Sequence, residues 1–450
     1  MKARFAAILA VAVGFLSLAG SAVAQIIEFR ATITPEQETS TVVSGASGTA
    51  VLLYDVSTNT FDLFVTLNTF TNPLTASHIH EGAVGVPGPV VTNFGAEAVY
   101  VRSGNTLTGI FRNVTHGGNP LTLLQNGAYL NYHTGAYPGG EIRGQLIAQP
   151  KRLSAIITPA QEIATPPIVS NAFGGALMSY DSGTNRVMLQ VTLFNFNNTL
   201  TASHYHEAAV GVNGPVVTNL GAAAVYTVSG GFVQRTFDIP YTGDPIKLLT
   251  GGAYLNFHSN VYGGGEIRGQ VKAAEESPSS RLVNASSRGF VGTGSQVLIT
   301  GFAVTGEEPV AVRIIARGPS LAAFGVQGVL SDPVMTIHSA NGLVMARSDN
   351  HALVAPATSP PLLDSKEAVL DLIVPPGAYT AIVSGADGGT GVALIEMFEQ
   401  RRGPENTLAL AGLPTGGSTM PSLAGASGTQ GKIVPEMCVS PIAAAAIATR

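Results

Sequence analysis

The sequence has one cysteine, no tryptophan and little charge. Cys438 alone cannot form an intrachain disulfide, so disulfide-knotted scaffolds and thiolate zinc sites are excluded and stability must come from burial. Lys and Arg number 23 against 28 Asp and Glu, a formal charge of −5. Between residues 26 and 149 the bases are Arg30, Arg102, Arg112 and Arg143, too few to neutralise a row of phosphates. Nucleic acid is therefore not expected as a partner. With 45% hydrophobic and 11% charged residues the chain is too apolar to be disordered throughout. No membrane span is expected either: the apolar run from Phe5 to Leu18 has 14 residues, short of the ~20 that cross a bilayer as a helix. Lys2 and Arg4 before that run, and Ala22-Val23-Ala24 after it, predict a signal peptide over residues 1–24, cleaved near Ala24. The expected location is secreted, periplasmic or extracellular.

Glycine and proline, 53 and 27 residues, are abundant and cut the chain into short segments. Those segments repeat at an offset of about 125 residues, too long a period for a solenoid. Leu74-Thr-Ala-Ser-His78-Ile-His80-Glu81 returns as Leu200-Thr-Ala-Ser-His204-Tyr-His206-Glu207, and residues 73–94 share 17 of 22 positions with 199–220. Thr34-Pro35-Glu-Gln37-Glu38 matches Thr158-Pro159-Ala-Gln161-Glu162, and Gly139-Gly-Glu141-Ile-Arg143-Gly144 matches Gly264-Gly-Glu266-Ile-Arg268-Gly269. Alternation such as Phe61-Asp62-Leu63-Phe64-Val65-Thr66-Leu67 predicts strands in each unit. The expected fold is all-β: two tandem antiparallel Greek-key barrels or sandwiches over residues 26–149 and 152–273, then a linker over 274–280. A third β-sandwich is expected over 281–399, where Val310-Ala-Val-Arg-Ile-Ile and Tyr379-Thr-Ala-Ile-Val are strand-like, followed by a disordered, low-complexity tail over 400–450.

His78 and His80 lie two apart on a predicted strand, so their rings share one face, and Tyr129, Asn131 and His133 share another. If the two strands are neighbours, three imidazoles converge, a ligand set suited to copper or zinc. The second unit offers His204, His206 and His258. The reading set ahead of metal binding is structural: a buried network in which Glu141 pairs with Arg143, and Glu266 with Arg268, across the sheet. His116 has Tyr241 as its counterpart and is not a shared ligand. Asp349-Asn350-His351 reads as a turn. Nucleophile elbows, phosphate loops and metalloprotease helices are absent, so no enzyme activity is expected.

The string His-Ile-His-Glu, then Gly-x-x-Gly-Pro-Val-Val, Tyr-x-Asn-x-His and Gly-Gly-Glu-Ile-Arg-Gly-Gln resembles the CHRD domain, first recognised in chordin and widespread in secreted bacterial proteins. The resemblance implies a secreted β-module with an extracellular or envelope ligand that the sequence does not identify. Growth-factor binding in chordin is associated with cysteine-rich modules, and a chain with one Cys has none. Residues 281–399 resemble modules near the C-terminus of secreted bacterial proteins. His78-Ile-His80 with the distal Gly-Gly-x-x-Arg turn is also similar to Cu/Zn superoxide dismutases, which implies His78, His80 and His133 as copper ligands and Arg143 as guide for an anion. The bridging histidine, zinc loop and disulfide of that family are missing. The expectation is a non-enzymatic binding or envelope-associated module protein; the alternative is a copper or zinc protein.

Overall fold

The computed structural model describes residues 25–274, 284–350 and 364–400. The expected signal peptide, most of the linker, His351 and the tail after Gln400 lie outside the described residues.

Ten strands build the first domain: β1 (Ile26–Ile33), β2 (Ser47–Asp55), β3 (Thr60–Asn68), β4 (Leu74–Glu81), β5 (Val90–Asn93), β6 (Val101–Ser103), β7 (Thr106–Thr115), β8 (Ala128–Thr134), β9 (Ile142–Gln145) and β10 (Ile147–Ala148). They form a six-stranded sheet, β10-β1-β2-β3-β7-β6, and a four-stranded sheet, β5-β4-β8-β9. All pairings are antiparallel. The sheets do not close, so the sandwich alternative holds and the barrel does not.

Period-two alternation sets the faces. Phe61, Leu63, Val65 and Leu67 of β3 point inward, as do Ile27, Phe29, Ala31 and Ile33 of β1. From the four-stranded sheet Ile79, Leu130 and Tyr132 meet them. At about 1.5–3 kcal/mol per fully buried large apolar side chain, this core is the main stabilising contribution. A second consequence of alternation is that His78, His80, Tyr129, Asn131 and His133 face away from the core.

The second domain repeats the plan. β11 (Lys151–Ile157), β12 (Phe173–Asp181), β13 (Arg186–Phe194), β14 (Leu200–Glu207), β15 (Val216–Gly221), β16 (Thr227–Ser229), β17 (Phe232–Pro240), β18 (Ala253–Ser259), β19 (Ile267–Gln270) and β20 (Lys272–Ala273) form sheets β16-β17-β13-β12-β11-β20 and β15-β14-β18-β19.

The third domain packs two four-stranded sheets. One orders β21 (Ala285–Val291), β28 (Gly391–Glu399), β23 (Val310–Arg317) and β26 (Ala368–Val374); the other orders β22 (Leu298–Val304), β27 (Gly377–Gly385), β24 (Pro333–Ser339) and β25 (Val344–Ser348). Edge strand β26 docks on the second domain. Ile373 N–H donates to Thr192 Oγ1 at 3.1 Å, Gln234 Nε2 donates to Asp371 O at 2.6 Å, and Phe194 joins the third domain's core. An edge that would otherwise present open backbone groups is thereby covered.

Candidate metal centre

Antiparallel pairing of β4 with β8 sets His78 opposite Asn131 and His80 opposite Tyr129, and a register shift near Ala76 brings His133 alongside. His78 Nδ1 lies 3.2 Å from His133 Nε2, and one nitrogen from each of the three rings falls within 4.8 Å of the others.

The backbone fixes two of the rings. A carbonyl oxygen only accepts, so Gly88 O, 2.9 Å from His80 Nδ1, commits that nitrogen to carry the proton and leaves a lone pair on Nε2. Pro138 O does the same to His133 Nδ1 at 2.9 Å. His80 Nε2 is buried and has no hydrogen-bond partner. Desolvation, reinforced by the neighbouring rings, pushes His78 down to about 4, and burial also lowers His80. These imidazoles resist protonation and keep lone pairs available.

Beneath His80 stands a column. Tyr129 stacks on the imidazole at 5.0 Å and 10°, and Arg143 Cζ lies 3.4 Å over the Tyr129 ring. Arg143 is 1% exposed and donates to Ala83 O at 2.8 Å and Gln145 Oε1 at 3.3 Å. Gly88 N–H donates to the Tyr129 hydroxyl, so one loop residue holds both His80 and the ring backing it. Gly88 has no substitute, since a Cβ there would lie 1.5 Å from Glu81 O.

The second domain repeats this arrangement. His204 Nδ1 and His258 Nε2 are 3.2 Å apart, Gly214 O holds His206 Nδ1 at 2.9 Å, and Gly263 O holds His258 Nδ1 at 3.1 Å. His206 Nε2 is buried and unpartnered. Burial lowers the proton affinity of all three rings. His206, Tyr254 and Arg268 form the same column.

Two expectations need correction. Glu141 does not pair with Arg143: it accepts from Ser44 Oγ, Asn72 Nδ2 and Thr134 Oγ1, and Glu266 likewise accepts from Ser170 Oγ and Asn198 Nδ2. Glu141 lies just before β9, where hydroxyl and amide donors reach its carboxylate, while the guanidinium leans onto Tyr129. Nor can Arg143 guide an anion, because its stacking and its bonds to Ala83 and Gln145 bury it. His116 lies apart from the cluster, its ring 3.9 Å from the Glu81 carboxylate and packed edge-on to Tyr54 and Phe61.

Glu38 and Glu162 were not singled out by the sequence. Each follows a short 3-10 turn and faces the guanidinium of its domain, and desolvation raises each carboxyl to about 7 against the opposing pull of that arginine. The Thr-Pro-x-Gln-Glu repeat was the available signal. Gly140, at φ +126°, lets the chain pass this group: a Cβ there would lie 2.5 Å from both Glu38 Oε1 and Asn131 Oδ1.

Fold and site together define a tandem all-β module protein with a triple-histidine cluster in each module. The family model for the CHRD domain matches residues 29–146 and 153–271, and the chain belongs to the CHRD-domain family. None of the curated proteins matches it. Among solved structures, the pre-peptidase C-terminal domain of collagenase from Bacillus anthracis is 14% identical, covering 26% of this chain and 89% of its own, with a TM-score of 0.18. A conserved protein of unknown function from Pseudomonas aeruginosa PAO1 is 8% identical over 56% of this chain and 99% of its own, TM-score 0.13. The infectious bursal disease virus VP2 subviral particle is 8% identical over 84% of this chain and 72% of its own, TM-score 0.17. Likenesses this distant say nothing about the site.

Proposed function

We propose that the protein is a secreted, non-enzymatic binding protein whose two CHRD domains each hold one copper or zinc ion, through His78, His80 and His133 and through His204, His206 and His258. The observation that carries this reading is the backbone commitment of two rings per cluster. Gly88 O and Pro138 O accept from Nδ1 of His80 and His133 and leave both Nε2 atoms unprotonated, as carbonyl acceptors do behind metal-bound histidines, and one nitrogen from each ring of the cluster lies within 4.8 Å of the others. The 3.2 Å separation of the His78 and His133 nitrogens corresponds to an angle of about 100° at an ion ~2.0–2.1 Å from each, close to tetrahedral. A purely structural network accounts for the cluster less well. Such a network strengthens a fold when its members are satisfied, whereas His80 Nε2 and His206 Nε2 are buried with no partner. Export follows from the N-terminal pattern of Lys2, Arg4 and Ala22 to Ala24, and the tandem arrangement suits an extracellular or envelope ligand met twice.

Metal analysis of the untagged chain after equilibration with copper or zinc tests the reading. About two ions per chain are expected, about one after His78→Ala/His80→Ala, and none once His204→Ala/His206→Ala is added, with the β-sheet circular dichroism retained. Wild-type protein that retains neither metal refutes the proposal.

A further inference from the structure

The charge around each cluster is one-sided. All three candidate ligands of each cluster are histidines, and no carboxylate belongs to either cluster. Glu81, beside His80 in sequence, turns away to accept the Asn119 N–H and to lie near His116. The fixed charge that acts on His80 is instead positive. Arg143 is buried, and its contact with Tyr129 and that ring's stacking on His80 place the guanidinium within about 8 Å of the imidazole, where a charge acts strongly in a partly buried site. Glu38 faces the same guanidinium, and burial holds its carboxyl toward the neutral form. Arg268, Tyr254, His206 and Glu162 repeat the arrangement.

A buried cation penalises a bound dication about twice as much as a monocation, since Coulomb energy scales with charge. Zinc centres also take four ligands, and here three converge. We infer that both clusters are copper(I) sites, selective for Cu(I) over Cu(II) and Zn(II), with Arg143 and Arg268 as positioning residues that set the preference through Tyr129 and Tyr254. The inference rests on the reading of the clusters as metal centres and adds the oxidation state. Loading from Cu(II) needs one electron from an external donor such as ascorbate; the copper is reduced, and no protein bond forms or breaks.

The test uses the full untagged chain. Cu(I), kept reduced with ascorbate, is titrated against bathocuproine disulfonate; Cu(II) is followed by electron paramagnetic resonance without reductant, and Zn(II) by competition. Two Cu(I) per chain are expected, held at least tenfold more tightly than either dication. Arg143→Gln/Arg268→Gln should narrow the preference for Cu(I) over Cu(II) about tenfold, equivalent to about 59 mV for one electron. At pH 8, where carboxyls raised to about 7 are largely ionised and offset the arginines, Glu38→Gln/Glu162→Gln should widen it. Opposite shifts from two buried substitutions cannot arise from a loosened site. Should the arginine variant fail to fold, the glutamate variant decides alone, and an unchanged or narrowed preference overturns the inference. Tighter Cu(II) or Zn(II) binding, or shifts of the same sign, overturns it and leaves the metal centres standing. Failure to bind any of the three ions overturns both.

Discussion

The two CHRD domains carry the same histidine face and different backs. The His78–His133 and His204–His258 separations are both 3.2 Å, and both columns end on a buried arginine. On the six-stranded sheet the second domain presents Phe173, Phe194 and Phe232, which pack with the third domain. The first domain has Ser47, Asn68 and Thr106 at those positions, and Ser47 and Asn68 are exposed. One sheet therefore holds the cluster and the other chooses the neighbour. A module can gain or lose a partner without disturbing the histidines.

Three measurements press on this division. The largest effect is expected at the back: Phe194→Ala empties a fully buried position between domains and should cost about 3–5 kcal/mol, while Asn68→Ala at the equivalent exposed position should stay within about 0.5 kcal/mol. Calorimetry of the full chain compares them. Equal losses would show that the third domain adds nothing to the second domain's core.

A smaller difference concerns acid. His116 is buried with both ring nitrogens unpartnered, and desolvation outweighs the pull of Glu81 to lower its proton affinity; its counterpart Tyr241 donates to Glu207 instead. A lowered native value means that the unfolded chain binds a proton the native state refuses. His116 thus contributes stability above about pH 6.5 that is lost as pH falls through that value. The clustered histidines add the same sign in both domains, and His258 adds to it in the second. In metal-free protein His116→Tyr should reduce the first domain's fall in melting temperature between pH 8 and 5 and leave the second domain's profile unchanged. An unchanged first-domain profile would place the acid sensitivity elsewhere.

The smallest effect belongs to the first domain's ion pair. Arg102 Nε donates to Glu97 at 2.6 Å, where the second domain has Ala223 and Val228. Arg102 and the Leu74 N–H hold the Glu97 carboxyl down at about 2. Both side chains are partly exposed, so Glu97→Ala should cost less than about 1 kcal/mol at pH 7. That contribution should fade as pH falls from the ordinary carboxyl range toward 2, and urea melts at the two pH values read it.

Much of this was legible in the sequence because strands obey a period of two. His78 with His80, and Asn131 with His133, could be assigned to faces before any contact was known, and the repeat marked both clusters at once. The pairing of Glu141 with Arg143 was misjudged because the period-two rule was carried past the start of β9 to Glu141; its donors Ser44 and Asn72 come from segments far away in sequence. The Arg143–Tyr129–His80 column also escaped, since stacking depends on how a long side chain bends over its neighbour. Nothing in the sequence marks Phe173, Phe194 and Phe232 as serving another domain, and only the fold shows it.

The orientation of His80 is supplied by the carbonyl of Gly88, a group every residue possesses. Point mutation cannot delete such a partner as it could delete an aspartate, and the one side chain change that would displace it collides with Glu81 O. The geometry of the cluster is consequently inherited with the path of the main chain. The surface loops can drift in sequence while the imidazoles keep their aim, provided the glycine and the strand register survive.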